Sequence, residues 1–224
     1  MNPAETSPPP CNLVTGALGF VGLHLVRSLV VAGIPVIGLG RHEPGAALPA
    51  TAGPFRLAGP AAELEGAVTY QAPWGRFWYK PLALEDPRPI ADLLRLLRPV
   101  MVYHLAAQSS AAISFREPID TFVSNVQGTL NLLEGIRALP DADRPVMLSV
   151  GSCEEYGPQQ DGTGILREDS PLNPVSPYGV SKVAQTLLCR QYVHSYQLPV
   201  MMTRSFSHTG SGQDTRFAFP SFAR

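Results

Sequence analysis

An octapeptide between two short apolar runs constrains this chain more than anything else in it: Thr15-Gly16-Ala17-Leu18-Gly19-Phe20-Val21-Gly22. The run before it, Asn12–Thr15, is short and apolar and predicts a buried strand. Phe20–Ala32 has helical spacing, which predicts Val21, Leu25, Leu29 and Ala32 along one face and Gly33 as the stop. Pro35–Leu39 is a second apolar run. Strand, helix and strand in so short a stretch make a βαβ unit, whose crossover is right-handed. Each glycine has a use at such a junction. Gly16 permits the tight turn, Gly19 lets backbone N–H groups approach a pyrophosphate, and Gly22 lets helix and strand pack closely. The helix then turns its partial positive charge toward the phosphates. A glycine turn alone says little; in this setting it predicts a dinucleotide site.

The alternation continues downstream. Arg76–Lys80 reads as a third strand, Val100–Leu105 as a fourth, Val146–Val150 as a fifth and Pro199–Thr203 as a sixth. Helices are expected at Ile90–Leu97, stopped by Pro99, and at Pro177–Tyr196. A long one is expected at Ile119–Leu139, with Phe122, Val126, Leu130, Leu133 and Ile136 along one face. This pattern predicts the α/β class: a Rossmann-type, doubly wound parallel sheet with helices on both faces. Residues 42–75, rich in Gly, Pro and Ala without a clean period, read as a loop-rich insertion. The expected organisation is a flexible N-terminus at 1–10, a dinucleotide-binding domain at 11–204, and the start of a further lobe at 205–224.

Composition removes several alternatives. A net charge of −1 provides no basic field for nucleic acid or anionic lipid. Residues 1–10 lack the basic and apolar segments of a signal peptide, and Val26–Leu39 is too short to span a bilayer and is broken by Gly33 and Pro35. Cys11, Cys153 and Cys189 form neither a disulfide framework nor a metal motif, so no metal and a cytoplasmic location are expected.

Chemistry concentrates in the second half. Tyr178-Gly179-Val180-Ser181-Lys182 opens a predicted helix, and positions i and i+4 share a face. An ammonium near a phenol lowers its pKa toward neutrality, which suits proton exchange with a hydroxyl or ketone while hydride moves to or from nicotinamide. Ser152, after the fifth strand, either hydrogen-bonds the reacting oxygen or caps a turn. Glu154 and Glu155 follow; one is a candidate general base, and either also reads as a solvated carboxylate. Cys153 reads as a packed residue rather than a nucleophile. At the end of the second strand the chain has Gly40-Arg41-His42 where an acidic residue would bind the ribose 2′-OH of NAD. Arg41 is either a solvated side chain or the partner of a 2′-phosphate, which favours NADP(H) over NAD(H).

Taken in order, TGALGFVG at 15–22, HLAAQ at 104–108, NVQGT at 125–129, GSCEEYG at 151–157 and YGVSK at 178–182 resemble the extended short-chain dehydrogenase/reductases (the NAD-dependent epimerase/dehydratase family) acting on nucleotide sugars. GSCEEYG before PLNPVSPYGVSKVAQ, and HTGSGQD at 208–214 before FPSFAR, look like GDP-4-keto-6-deoxy-D-mannose reductases, with the GDP-mannose 4,6-dehydratases and 4-epimerases related. The resemblance implies Tyr178 as acid/base, Lys182 on the nicotinamide ribose, Ser152 orienting the substrate oxygen and Glu154 as the base of an elimination. Asn125 would support that geometry. It implies cofactor contacts from Gly16, Leu18, Gly19, Phe20, Val21, Gly22, Arg41, Leu105, Ala106, Ala107, Tyr178 and Lys182. Substrate contacts would come from Gln108, Ser152, Cys153, Glu154 and Ser207. It further implies a GDP-sugar or other nucleotide-diphospho-sugar substrate and a homodimer through helices near 117–138 and 177–196. Four positions depart from the pattern: Ala83 stands where Asp contacts adenine, Ser207 where Asn holds the sugar pyrophosphate, and Ser205 and Ser211 where proline is common. The family continues for roughly a hundred residues more, about one small domain, so the resemblance implies a substrate lobe that is largely missing here and leaves a non-catalytic dinucleotide-binding module as the other possibility.

Overall fold

The computed structural model describes residues 10–45, 48, 53–158 and 164–214. The expected flexible N-terminus, apart from residue 10, and the FPSFAR segment lie outside them. The chain divides into two compact units: Met1–Ala83 with Leu93–Ala106 and His208–Arg224, and Leu84–Asp92 with Ala107–Ser207.

The first unit holds β1 (Asn12–Thr15), α1 (Phe20–Val31), β2 (Val36–Gly40), β3 (Arg56–Pro60), β4 (Val68–Ala72), β5 (Gly75–Pro81) and β6 (Met101–His104). Its strands lie in the order β3-β4-β5-β2-β1-β6. β1 pairs in parallel with both β2 and β6, and β2 with β5. All of β1 and the first four residues of β2 are buried, the mark of parallel strands covered on both faces. The core gathers Val14, Leu23, Val26 and Val36 with Phe55, Tyr70, Phe77 and Tyr79, and each fully buried large side chain contributes about 1.5–3 kcal/mol.

Two expectations are corrected in this unit. The stretch 42–75 is not all loop: β3 and β4 form an antiparallel extension of β5, with the β4–β5 register closing at Ala72↔Gly75. Val68-Thr69-Tyr70-Gln71-Ala72 does carry β-forming residues, but the surrounding Gly, Pro and Ala diluted the signal. Second, α1 buries Gly22, Leu23, Val26, Leu29 and Val30, while Val21 is exposed. A side chain at Gly22 would collide with the Gly16 and Ala17 carbonyl oxygens. That contact sets the rotation of the helix, which leaves Val21 and Ala32 of the expected stripe exposed and Leu29 buried.

The second unit holds β7 (Val146–Ser152) and β8 (Val200–Ser205), a parallel pair in register from Met147↔Val200 to Ser152↔Ser205. With them are α3 (Ala111–Arg116), α4 (Pro118–Phe122), α5 (Gly128–Arg137) and α6 (Pro177–Tyr196). The remaining helix, α2 (Pro87–Leu97), carries the division between the units. α6 begins where expected because Ser176 caps it, its hydroxyl accepting the Gly179 N–H at 3.0 Å, and Pro177 occupies the first turn. It ends at Gln197 in the left-handed region, φ 54°.

The single helix expected at 119–139 is instead α4, a π turn at Val123–Gln127, and α5. The extra residue of a π turn shifts the helical phase. Thr121 before it and Asn125 within it are buried, with Phe122 exposed; after it Leu132, Leu133 and Ile136 are buried. Eight strands, rather than six, are present among the described residues, and parallel strands alternating with helices define the expected doubly wound α/β class.

Candidate active site

In the first unit the turn after β1 is built by the backbone. Gly16 has φ +71°, and a Cβ there would lie 2.9 Å from the Ala106 nitrogen. The Ala17 N–H donates to Leu39 O at 3.1 Å and the Gly19 N–H to Gly16 O at 3.0 Å, which ties the turn to the end of β2 and to itself. Gly19 caps α1 with no side-chain hydrogen bond, and no acidic residue sits in the first turn. Among the described residues the leading N–H groups of α1 therefore have no side-chain acceptor, and the helix end offers them, with its partial charge, to an anion. Gly19 is exposed, Leu18 buried, Phe20 half-buried and Val21 exposed. These residues fit a pyrophosphate: the turn leaves no Cβ where the phosphates would approach.

Two contacts around this turn were not read from the sequence. The Thr15 hydroxyl accepts the Ala106 N–H at 3.1 Å and lies 2.9 Å from His104 Nδ1, so it joins the ends of β1 and β6. Thr15 and His104 were visible as strand ends and as the first residues of TGALGFVG and HLAAQ, with no sign that they meet. The other is an aromatic cluster. The Phe20 ring meets His24 edge-on at 5.4 Å and His208 in a stacked arrangement at 6.1 Å, and His24 Nε2 lies 3.1 Å from Ser211 O. Leu105 and Ala106 are half-buried after β6, and Arg41 is exposed after β2.

In the second unit the tyrosine–lysine pair sits in the first turns of α6, and both residues are buried. Ser114 Oγ accepts the Tyr178 N–H at 3.0 Å. The Ser181 hydroxyl donates to Tyr178 O at 2.7 Å and accepts from Asn125 Nδ2 at 2.9 Å. Asn125, in the π turn, also takes the Gln108 N–H at 2.7 Å and donates to Gln108 O at 3.0 Å. The amide of Asn125 thus clamps the 107–110 loop to α6, a supporting position as the resemblance implied. Gln108, expected at the substrate, spends its amide locally: Nε2 donates to Ser110 O and Thr121 Oγ1, both at 3.0 Å. Ala107 and Cys153 are half-buried, and Ser207 is exposed.

Of the two parts that its sequence left open, Ser152 shows the capping one. Its hydroxyl caps the 3₁₀ turn Cys153–Glu155, accepting the Glu154 N–H at 3.2 Å, and it also hydrogen-bonds Tyr178. The two carboxylates differ. Glu154 is exposed and accepts from Ser176 Oγ at 3.0 Å. Glu155 is fully buried and accepts from Ser152 N, Thr186 Oγ1 and Arg204 Nε, each at 2.9 Å. Arg204 donates onward to Tyr156 Oη at 3.1 Å and Glu168 O at 2.9 Å. Glu155 is therefore a structural anchor beneath Ser152, and Glu154 remains as the candidate base.

The electrostatics differ from the expectation. Lys182 does not pull the Tyr178 pKa down. Burial pushes the phenol up, the hydrogen bond from Ser152 partly opposes this, and the Glu154 carboxylate adds to the rise. The ammonium instead donates to Val150 O and Gln185 Oε1, both at 2.9 Å, with its nitrogen 6.0 Å from the Tyr178 ring centre. Burial brings the Lys182 pKa down to about 8, with Glu155 and then Cys189 opposing the fall.

The parallel strand–helix alternation and the glycine turn at the end of β1 define a doubly wound dinucleotide fold. Residues 13–224 match the family model described as GDP-mannose 4,6 dehydratase, and the chain belongs to that family. It is 32% identical over 211 residues to a GDP-6-deoxy-D-mannose reductase of Pseudomonas aeruginosa, covering 94% of this chain and 56% of that one. It is 34% identical over 204 residues to a dTDP-glucose 4,6-dehydratase of Xanthomonas campestris, covering 88% and 53%. The solved dTDP-glucose 4,6-dehydratase of Streptomyces venezuelae, with NAD and TYD bound, superposes with a TM-score of 0.74 at 29% identity, over 94% of this chain and 60% of that one. The chain thus spans between half and two thirds of these relatives' length.

Proposed function

We propose that the chain forms the catalytic and cofactor-binding part of a nucleotide-sugar oxidoreductase that reduces the C4 ketone of GDP-4-keto-6-deoxymannose with NADP(H). The observation that carries this reading is the buried Ser152–Tyr178–Lys182 set on β7 and α6, in a family whose relatives include a reductase of this class. Nicotinamide, when bound, supplies the hydride. Tyr178, kept protonated by burial, donates its proton to the C4 oxygen, while Ser152 orients that oxygen. Lys182 holds the nicotinamide ribose and keeps a positive charge near the reacting groups. Gly16, Leu18, Gly19, Phe20, Val21 and Gly22 receive the pyrophosphate, Arg41 the 2′-phosphate, and Leu105, Ala106 and Ala107 the rest of the cofactor. Cys153, Glu154 and Ser207 contact the sugar nucleotide, and Gln108 acts through the loop it braces.

The neighbouring structure's bound NAD supports a nicotinamide dinucleotide, with Arg41 supporting the 2′-phosphorylated form. Among the described residues no three His, Cys, Asp or Glu side chains group as metal ligands, and no helix is long and apolar enough to cross a membrane. A cytoplasmic location, a homodimer through 117–138 and 177–196, and 205–224 as the start of the substrate lobe belong to the same proposal.

A 4,6-dehydratase is the second reading, favoured by the family model and by the exposed Glu154 carboxylate beside Ser176. Two incubations separate them. The reductase consumes NADPH only when the 4-keto sugar is added, and Tyr178→Phe loses this turnover while binding NADPH. Formation of a 4-keto product from GDP-mannose without added reductant establishes the dehydratase instead. Cofactor binding with no sugar binding at all reduces the chain to a dinucleotide-binding module.

A further inference from the structure

The chain has two lysines, Lys80 and Lys182, and the second is held by a buried side-chain relay for which the proposed reaction has no direct use. Lys182 Nζ donates to Val150 O and to Gln185 Oε1, each at 2.9 Å. Gln185 Nε2 in turn donates to Ser149 Oγ at 2.8 Å. The Ser149 hydroxyl bonds the Cys189 sulfur and holds the thiol pKa below what burial alone would give, as a donor to sulfur does. Lys182, Gln185, Ser149 and Cys189 are all at most 4% exposed. Each link fixes the next. A lysine has three N–H donors and no acceptor, so the glutamine must present its oxygen to it. The amide nitrogen must then face an acceptor, and Ser149 accepts from it while turning its own hydrogen to Cys189. Flipping the amide would set N–H against ammonium and leave a buried donor unpaired, a cost of about 1–3 kcal/mol.

Resting on the function proposed above, we infer that Gln185 is the positioning residue of Lys182: its amide oxygen, oriented by Ser149, takes one ammonium N–H and leaves a single N–H for a ligand. With Val150 O accepting another, the ammonium is aimed rather than swivelling among three equivalent donors. The acceptor is also neutral. A carboxylate here would add a full negative charge and hold the proton tightly, whereas the amide oxygen leaves the lysine with a pKa close to 8. The charged and titratable groups facing Lys182 are Glu155 from the turn after β7, and Cys189 and Tyr178 from α6 itself. None of them is removed by changes at 185 or 149.

Two lysines make the test direct. Protein labelled with ¹³C at the lysine ε carbon gives two resonances, with Lys182→Arg identifying the buried one. The wild-type Lys182 signal is expected to titrate near 8. Gln185→Glu should raise that midpoint by about 1–3 pH units, as an opposite charge in contact does. Gln185→Met should lower it, and Ser149→Ala should lower it less, while Lys80 stays fixed in all of them. If folded Gln185→Glu, Gln185→Met and Ser149→Ala proteins all keep the wild-type Lys182 midpoint, the inference is wrong. Turnover supplies the separate test. If the resonance moves and the alkaline limb of kcat/KM moves with it, both readings hold. If the resonance moves while the limb stays, Gln185 positions Lys182 and the catalytic part assigned to the lysine is what fails.

Discussion

The glycine turn after β1 and the residues around the start of α6 are held by opposite means. The turn is held by backbone: two N–H to carbonyl bonds, one residue in the left-handed region, and close approaches that only glycine tolerates. The α6 region is held by side chains. Asn125, Ser181, Gln185, Thr186 and Glu155 are buried polar groups, each bonded to another element. The first arrangement tolerates no added atom; the second tolerates no missing partner. A ligand anion needs the bare backbone of the first, and proton transfer needs the fixed side chains of the second.

That contrast can be broken most sharply at Glu155. Truncation to Ala leaves the Arg204 guanidinium facing a buried void and frees the Ser152 N–H, so Glu155→Ala should cost about 3–5 kcal/mol in denaturant unfolding. Loss of less than about 1 kcal/mol would show that side-chain bonding is not what holds this region. Gly22→Ala probes the other side. Its methyl group meets the Gly16 carbonyl oxygen, so stability should fall by about 1–3 kcal/mol, with dinucleotide binding weakened in calorimetry and the Lys182 resonance unmoved. Asn125→Ala, which empties three hydrogen bonds at once, should cost about 1–3 kcal/mol and leave the Gly22 region unchanged by hydrogen exchange.

Legibility followed the same division. The glycine turn was readable because glycines are their own signal, and YGVSK because its spacing names a helix face. The start of α6 at Ser176-Pro177 was readable from cap chemistry. What failed to show was whatever depended on partners distant in sequence. Nothing in Gln185 or Ser149 says that they meet, and Glu155 looked like a loop carboxylate until Arg204, 49 residues later, came to it. The break in the 119–139 helix was hidden because the residues buried in α4 and the π turn, Thr121 and Asn125, are polar, so the apolar stripe matched the buried face only beyond the turn, at Leu133 and Ile136. The β3–β4 pair was hidden because the glycines and prolines around it argue for loop.

Smaller effects follow from pH. The folded state holds the Lys182 pKa at about 8 against an ordinary 10.5, so between these values the unfolded chain binds more protons and folding stability contributed by this group rises with pH. Wild-type protein should therefore gain on Lys182→Met between about pH 8 and pH 10, by up to ~1.4 kcal/mol per pH unit. A constant difference across that window would mean the lysine is not buried as described. In turnover the same titration has the opposite sense. The charged lysine is lost above about 8, and kcat/KM should decline there.

The central claim is that the bare turn and the Ser152–Tyr178–Lys182 set serve one hydride transfer to a sugar ketone. Protein supplied with GDP-4-keto-6-deoxymannose and NADPH deuterated at the nicotinamide C4, tested with each face labelled in turn, measures this directly by mass spectrometry of the sugar. Deuterium at C4 of the product from one face, absent in Tyr178→Phe, is the predicted result. A sugar recovered without deuterium from either face, beside unconsumed cofactor bound at full affinity, would contradict it.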